Sequence, residues 1–127
     1  MRLAYVDTSC LVAIALDEPG AQALATRLHR FDRRFSSNLL EAELRSALQR
    51  EGLPERADPL LSWITWVHPQ RPLTEEFDEV TSLAYLKGAD LWHLACAPFL
   101  APPQGDLAFL TLDLQQRKVA SKLGFAT

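Results

Sequence analysis

The sequence predicts an α/β protein, built as a three-layer α/β/α sandwich around a central, mostly parallel sheet. Two short segments, residues 3–6 and 107–112, are apolar at almost every position, which is typical of strands that are buried on both faces. Between them, residues 21–31 place apolar side chains at helical spacing, with arginines on the opposite side. Short buried strands separated by amphipathic helices favour a parallel sheet that is covered by helices on both faces.

Breaks in the apolar pattern divide the first half of the chain. Residues 17–20, which include Pro19 and Gly20, interrupt an apolar run that begins at Cys10. Ser37 or Asn38 is placed to cap a longer helix, which ends before Gly52 and Pro54. The predicted elements are a strand at 3–6, a helix at 10–16, an amphipathic helix at 21–31, a short strand at 33–36 and a helix at 38–50.

Prolines and capping residues divide the second half in the same way. Pro69 and Pro72 follow a short apolar segment, Thr74 is placed to cap a helix, and Gly124 closes the last helix. The predicted elements are a helix at 55–65, a strand at 66–68, a helix at 74–87, a helix that starts near 88–90, a loop at 101–105, a strand at 107–112 and a helix at 114–123.

Length and composition fit one domain that spans residues 1–127. Of the 127 residues, 48% are apolar and 23% are charged, as in an ordinary globular domain, and no internal repeat or linker is present. The longest apolar runs, such as 91–100, are interrupted and fall short of the ~20 residues that a membrane span needs. Asp7 precedes any signal-peptide hydrophobic region, so we expect a cytoplasmic protein with no membrane contact.

The charge balance excludes one way of binding nucleic acid. Thirteen lysines and arginines against sixteen acidic residues give a net charge of −3, so overall electrostatics would not attract a phosphate backbone. Any activity on nucleic acid must come from a local patch or a metal ion. The two cysteines, Cys10 and Cys96, form no CxxC pair, and we expect both to be buried thiols.

Two aspartates lie where an α/β sheet binds its ligands, and a third opens a helix. Asp7 follows the strand at 3–6 and Asp113 follows the strand at 107–112, and ligands bind beyond the carboxyl ends of parallel strands. Asp90 opens a helix and faces the same way as the apolar Leu94 and Ala97. The alternative is that each aspartate only caps the helix that follows it.

Capping does not explain a fourth acid, Glu43. Helical spacing places Glu43 among apolar side chains of the helix at 38–50, where a lone carboxylate costs several kcal/mol unless something compensates its charge. Glu41, at the edge of the apolar stripe, forms an i,i+4 pair with Arg45 and is the second choice. An ion pair with a nearby arginine is the structural alternative for Glu43.

Four converging carboxylates predict a metal ion, because without a cation they would repel one another and hold protons at neutral pH. A site with only oxygen ligands suits Mg²⁺ or Mn²⁺. Such an ion typically orients a water, lowers its pKa and neutralises charge on phosphate oxygens. The chain has no Gly-rich phosphate loop, so nucleotide hydrolysis is disfavoured.

The acidic segments together resemble a known family. The segments are VDTS at 6–9, ELR at 43–45, DLWHLA at 90–95 and LTLD at 110–113. In order and spacing, over nearly the whole chain, they resemble the PIN domain, and within it the VapC-type toxins of type II toxin–antitoxin systems.

The resemblance implies a Mg²⁺- or Mn²⁺-dependent endoribonuclease that cleaves cellular RNA, often tRNA or rRNA. It also implies a cognate antitoxin that silences the enzyme and a homodimer whose acidic sites line a shared groove. On this resemblance Asp7, Glu43, Asp90 and Asp113 correspond to the four family acids, both as metal ligands and as catalytic residues, and Ser9 and Thr111 would support them. Many relatives carry a further acid after the fourth, and residues 114–117 have none, which makes a second tightly held metal doubtful.

Basic residues near the acids in sequence are the candidates for binding RNA phosphates. His93, three residues after Asp90, is expected to be structural rather than a ligand. The alternative to a nuclease is a catalytically silent PIN-fold module that binds RNA or protein. A DNA nuclease stays open as well, although its relatives in this fold generally have longer chains. The RNA-binding candidates are Arg45, Lys87, Arg117 and Lys118.

Overall fold

A parallel sheet forms the centre of the molecule. The computed structural model describes residues 1–102 and 105–127, so the predicted loop at 101–105 lies partly outside the described residues, at Pro103 and Gln104. Within the described residues the sheet has four strands in the order β3-β2-β1-β4, and every pairing is parallel. The strands are β1 (Leu3–Val6), β2 (Arg33–Ser37), β3 (Thr65–Val67) and β4 (Leu107–Leu110).

Helices cover both faces of this sheet. Along β1, Ala4 and Val6 pack into one apolar cluster and Tyr5 into the other, which explains why the strand is apolar at successive positions. The first cluster is formed with α1 to α4 and the second with α5 to α7, so the predicted three-layer sandwich is confirmed. The helices are α1 (Thr8–Ala15), α2 (Ala21–His29), α3 (Asn38–Arg50), α4 (Ala57–Leu61), α5 (Thr74–Thr81), α6 (Gly88–Leu100) and α7 (Leu114–Leu123), with a 3-10 turn at Pro54–Arg56 before α4.

Two predicted helices are shorter in the structure. The helix predicted at 55–65 is the 3-10 turn followed by α4, which ends at Leu61 so that β3 can begin at Thr65. The helix predicted at 74–87 ends at Thr81, and Thr74 is its first residue rather than its cap. Between α5 and α6, the alternate residues Ala84 and Leu86 pack against the core. This alternation differs from helical spacing, so the helix does not continue through the segment.

Other local predictions are confirmed. The last helix spans Leu114–Leu123 and ends at Gly124, whose φ of 100° lies in the left-handed region that favours glycine. Cys10 and Cys96 are buried thiols, and burial raises the pKa of Cys96 to about 11. In the part of the chain that the structure describes, no helix is long and apolar enough to span a bilayer.

Candidate active site

Five acidic residues line one open pocket at the carboxyl-terminal edge of the sheet, and four of them are the acids predicted from the sequence. The pocket has a volume of about 520 Å³ and is called the carboxylate pocket below. Glu18, which sequence reasoning treated only as part of a turn, also lines it. The four predicted acids that line it are Asp7, Glu43, Asp90 and Asp113.

Asp7 is held in place by the start of α1. Its Oδ2 atom accepts a hydrogen bond from the Ser9 backbone N–H at 3.0 Å, which makes Asp7 the N-cap of that helix. Its Oδ1 atom accepts from the Gln116 side-chain amide at 3.2 Å. The side chain is only 4% exposed. Asp7 therefore both caps α1 and lines the carboxylate pocket.

Asp113 occupies the equivalent position at the start of α7. One of its oxygens, Oδ1, accepts from the Gln116 backbone N–H at 2.7 Å and caps the helix. The Thr111 hydroxyl accepts from the Asp113 N–H at 3.1 Å, and the Ser9 hydroxyl accepts from the Leu112 N–H at 3.1 Å. Ser9 and Thr111 thus bind the backbone that carries the acids and lie beside them.

Asp90 is not a cap. It lies in the first turn of α6, whose N-cap is Lys87, and its side chain makes no hydrogen bond within the described residues. The pKa of the Asp90 carboxyl is raised, first by partial burial and then by repulsion from Asp7, Asp113 and Glu43. Asp90 therefore lies close enough to the other three carboxylates for their charges to disfavour its ionised form.

Glu43, on α3, also lines the pocket, and two side chains form hydrogen bonds with its carboxylate. Its Oε1 atom accepts from the Thr8 hydroxyl at 2.7 Å and lies 2.7 Å from His93 Nε2. Burial opposes ionisation of Glu43, but these two hydrogen bonds outweigh it and lower the pKa of Glu43. Glu41 instead pairs with Arg45 at 2.7 Å and does not line the pocket.

His93 positions Glu43 from the core. It is 1% exposed, and its Nδ1 atom lies 2.8 Å from the Tyr5 hydroxyl. That hydroxyl accepts from the Ser37 backbone N–H, so its own hydrogen is free to go to Nδ1. The partners therefore fit a neutral imidazole whose Nε2–H donates to Glu43. Both ring nitrogens are occupied, in keeping with the structural role expected from the sequence.

Gln116 is the site residue that sequence reasoning missed. Its side chain is fully buried, and its amide nitrogen donates both to Asp7 and to the Asp90 carbonyl oxygen, the latter at 3.1 Å. Its amide oxygen accepts from the Thr111 hydroxyl at 2.6 Å. The sequence pattern could have identified Gln116. It shares helical spacing with the buried Val119, Ala120 and Leu123, so it is a polar residue on the apolar face of α7.

The four basic candidates have different surroundings. Lys87 is exposed and lies in a pocket that Asp90 and Asp113 also line. Arg117 donates to the Thr111 carbonyl oxygen at 2.8 Å and so supports the backbone of the site. Arg45 bridges Glu41 and Asp58 and does not line the carboxylate pocket, and Lys118 is exposed outside both pockets.

The comparison with known protein families accounts for this arrangement. The model of the PIN domain matches residues 4–122, a range that contains all four acids. The chain belongs to the PIN domain family. PIN domains generally have a nuclease fold, so the pocket lies in a domain of nuclease type. A search of curated proteins finds no significant match.

The donors of this PIN domain fit a hard divalent cation. Both oxygens of Asp90 and one oxygen each of Glu43 and Asp113 make no hydrogen bond within residues 1–102 and 105–127, so they are free to bind an ion. In the same ranges, no three His, Cys, Asp or Glu side chains are arranged closely enough to hold a metal ion as they stand. An open pocket with oxygen donors suits an ion that keeps several of its waters, such as Mg²⁺ or Mn²⁺.

Replacing Gln116 tests its part in the site. Gln116→Met keeps the volume but removes the amide that donates to Asp7 Oδ1 and accepts from the Thr111 hydroxyl, so we expect unfolding free energy to fall by about 1–3 kcal/mol in urea titrations. Gln115→Met, on the exposed neighbour, is the matched control and should change it by less than about 0.5 kcal/mol. Equal losses in the two variants would show that the amide network contributes nothing.

Asp90→Asn should stabilise the protein in a chelator at pH 7. The fold raises the pKa of Asp90 above its unfolded value, so the ionised carboxylate destabilises the fold at neutral pH. This difference disappears at pH values below the unfolded pKa, where both states are protonated. We therefore expect a higher Tm for the variant at pH 7, and an advantage that shrinks as the pH falls toward about 4. Asp78→Asn, on the exposed side of α5, is the control. A lower Tm for Asp90→Asn at pH 7 would contradict the raised pKa of Asp90.

Proposed function

We propose that this PIN domain is a metal-dependent endoribonuclease that acts as the toxin of a toxin–antitoxin pair. The proposed reaction is hydrolysis of phosphodiester bonds in cellular RNA, with tRNA or rRNA as the substrate. The observation that carries the proposal is the shared carboxylate pocket, in which four acids from separate parts of the chain repel one another and keep unused oxygens. Such a pocket is unfavourable as structure alone, and a bound cation compensates it.

The proposed cofactor is Mg²⁺ or Mn²⁺, held by Asp7, Glu43, Asp90 and Asp113. When bound, such an ion orients a water, lowers its pKa and neutralises charge that develops on phosphate oxygens. In the protein without the ion, hydrogen bonds already hold two of these donors, Asp7 and Glu43. Gln116 and the α1 N-terminus hold Asp7, and Thr8 and His93 keep Glu43 ionised, which suits it to bind a cation rather than to take a proton.

The toxin role rests on the motifs at 6–9, 43–45, 90–95 and 110–113, which resemble VapC-type toxins. On the same ground we propose a cognate antitoxin, a homodimer and a cytoplasmic location. RNA rather than DNA is favoured by the resemblance of these motifs. The absence of an acid at residues 114–117 favours one tightly held ion over two.

Cleavage of total cellular RNA by the partner-free protein tests this function. We expect discrete fragments with Mg²⁺ or Mn²⁺ and none with a chelator. Asp90→Asn removes a ligand from the pocket and should lower the cleavage rate by about a hundredfold or more, because charge stabilisation at the reacting phosphate is lost. The exposed Asp78→Asn should cleave like the wild type.

The opposite result would favour a different function. If wild type and Asp90→Asn are equally silent over a range of RNAs and divalent ions, while circular dichroism shows that both are folded, the catalytic proposal is wrong. The chain would then be a catalytically silent PIN-fold module that binds RNA or protein.

A further inference from the structure

A second, smaller pocket adjoins the carboxylate pocket. It has a volume of about 250 Å³ and is called the side pocket below. Asp90 and Asp113 line both pockets and so form the wall between them. A group in the side pocket is therefore next to the proposed reaction centre. The remaining lining residues of the side pocket are Tyr85, Leu86, Lys87 and Gln115.

Tyr85 lines this pocket and is largely exposed to water. Its neighbours Ala84 and Leu86 pack against the core cluster on the α5–α7 side of the sheet, and this alternation turns Tyr85 outward, where it is 72% exposed. An exposed ring contributes little to folding, since aromatic side chains stabilise a protein mainly through the area that they bury. The ring is thus available to a ligand.

Lys87 adds the charge that the carboxylates lack. It is exposed, and within the part of the chain that the structure describes it forms no ion pair. Among the described residues that line the two pockets, Lys87 is the one lysine or arginine. Carboxylates repel the phosphates of a nucleic acid, whereas an unpaired lysine beside them attracts one.

We propose that the side pocket binds one unpaired nucleotide of the substrate, next to the phosphodiester that is cut. The base stacks on Tyr85, and the phosphate lies near Lys87. This inference rests on the proposed function and adds to it a binding site for one unpaired base of the substrate, in the side pocket. The reason is steric, because both faces of a base in a duplex are covered by its neighbours, and only an unpaired base has a face free for an aromatic side chain.

Charge argues against a protein side chain as the occupant. Two carboxylates form one wall of the side pocket, and the free lysine stands at the same place, so the pocket offers one aromatic face among charged groups. An apolar side chain from a partner protein would bury those charges without pairing them, which is unfavourable. A nucleotide offers a flat apolar face to Tyr85 and a phosphate to Lys87, so it suits these two side chains.

Binding of short labelled RNAs tests the inference. Fluorescence anisotropy measures Kd for an unstructured RNA oligonucleotide and for a duplex of equal length, with Glu43→Gln as the background, and a gel checks that the RNA stays intact. Glu43 lines the carboxylate pocket but not the side pocket, so the background leaves Tyr85 in place. Tyr85→Ala should raise Kd for the single strand about tenfold and change Kd for the duplex less than twofold.

Matched variants separate stacking from other effects. Tyr85→Phe keeps the ring and should bind the single strand within about twofold of the background protein. Leu83→Ala alters another exposed apolar residue of the same segment, one that does not line the side pocket, and should have no effect. Lys87→Gln should weaken binding and reduce the dependence of Kd on salt.

Several outcomes would overturn the inference. One is an unchanged single-strand Kd in Tyr85→Ala, and another is an equal loss for single strand and duplex. If Tyr85→Ala leaves RNA affinity intact but lowers the mass measured by light scattering, the side pocket is a protein interface instead. When the wild type cleaves RNA with metal, these results reject only the side-pocket inference. A wild type that neither binds nor cleaves RNA would reject the proposed function together with it.

Discussion

Repulsion among four carboxylates is the constraint on which the rest of the site depends. The register of β1 and β4 pairs Val6 with Leu110, so the chain carries Asp7 and Asp113 out of the sheet side by side. The fold holds this charge by placing the starts of α1 and α7 directly at the two aspartates, each of which caps its helix. Helix N-termini carry partial positive charge, which offsets part of the repulsion.

A polar network then orients the carboxylates without using all of their oxygens. Gln116 forms hydrogen bonds with residues at the end of β1, in the first turn of α6 and just after β4. His93 and Thr8 form hydrogen bonds with Glu43. No buried side-chain nitrogen or oxygen in the described part of the chain lacks a hydrogen-bond partner. A satisfied network of this kind is rigid, because moving one member leaves another unpaired in a region of low dielectric. The pocket is thus shaped before any ligand arrives.

The sequence predicted what periodicity and capping control. It identified β1 and α7 at their observed limits, and it favoured Glu43 over Glu41 because helical spacing decides which side of α3 a residue faces. It did not predict that α5 ends at Thr81, since helical propensity continues past the point where the chain must extend to reach α6. Gln116 was missed for a related reason, because spacing shows that a residue faces inward but not which distant atoms it will meet. The side pocket could not be predicted from the sequence for both reasons. It lies between the segment before α6 and the start of α7, so its prediction requires the end of α5 and the contacts between distant segments.

The four acids are not equivalent, and the difference follows from their neighbours. Glu43 is already compensated by two hydrogen bonds, so its pKa is lowered, whereas Asp90 has no hydrogen-bond partner within the described residues and its pKa is raised. A cation that entered the carboxylate pocket would therefore compensate a charge at Asp90 that the fold itself leaves uncompensated. The ionised Asp90 would then favour binding of the proposed ion, although it is unfavourable for the fold without the ion. Stability without metal and affinity for metal are expected to move in opposite directions at Asp90, as is common where a fold keeps an unfavourable group for function.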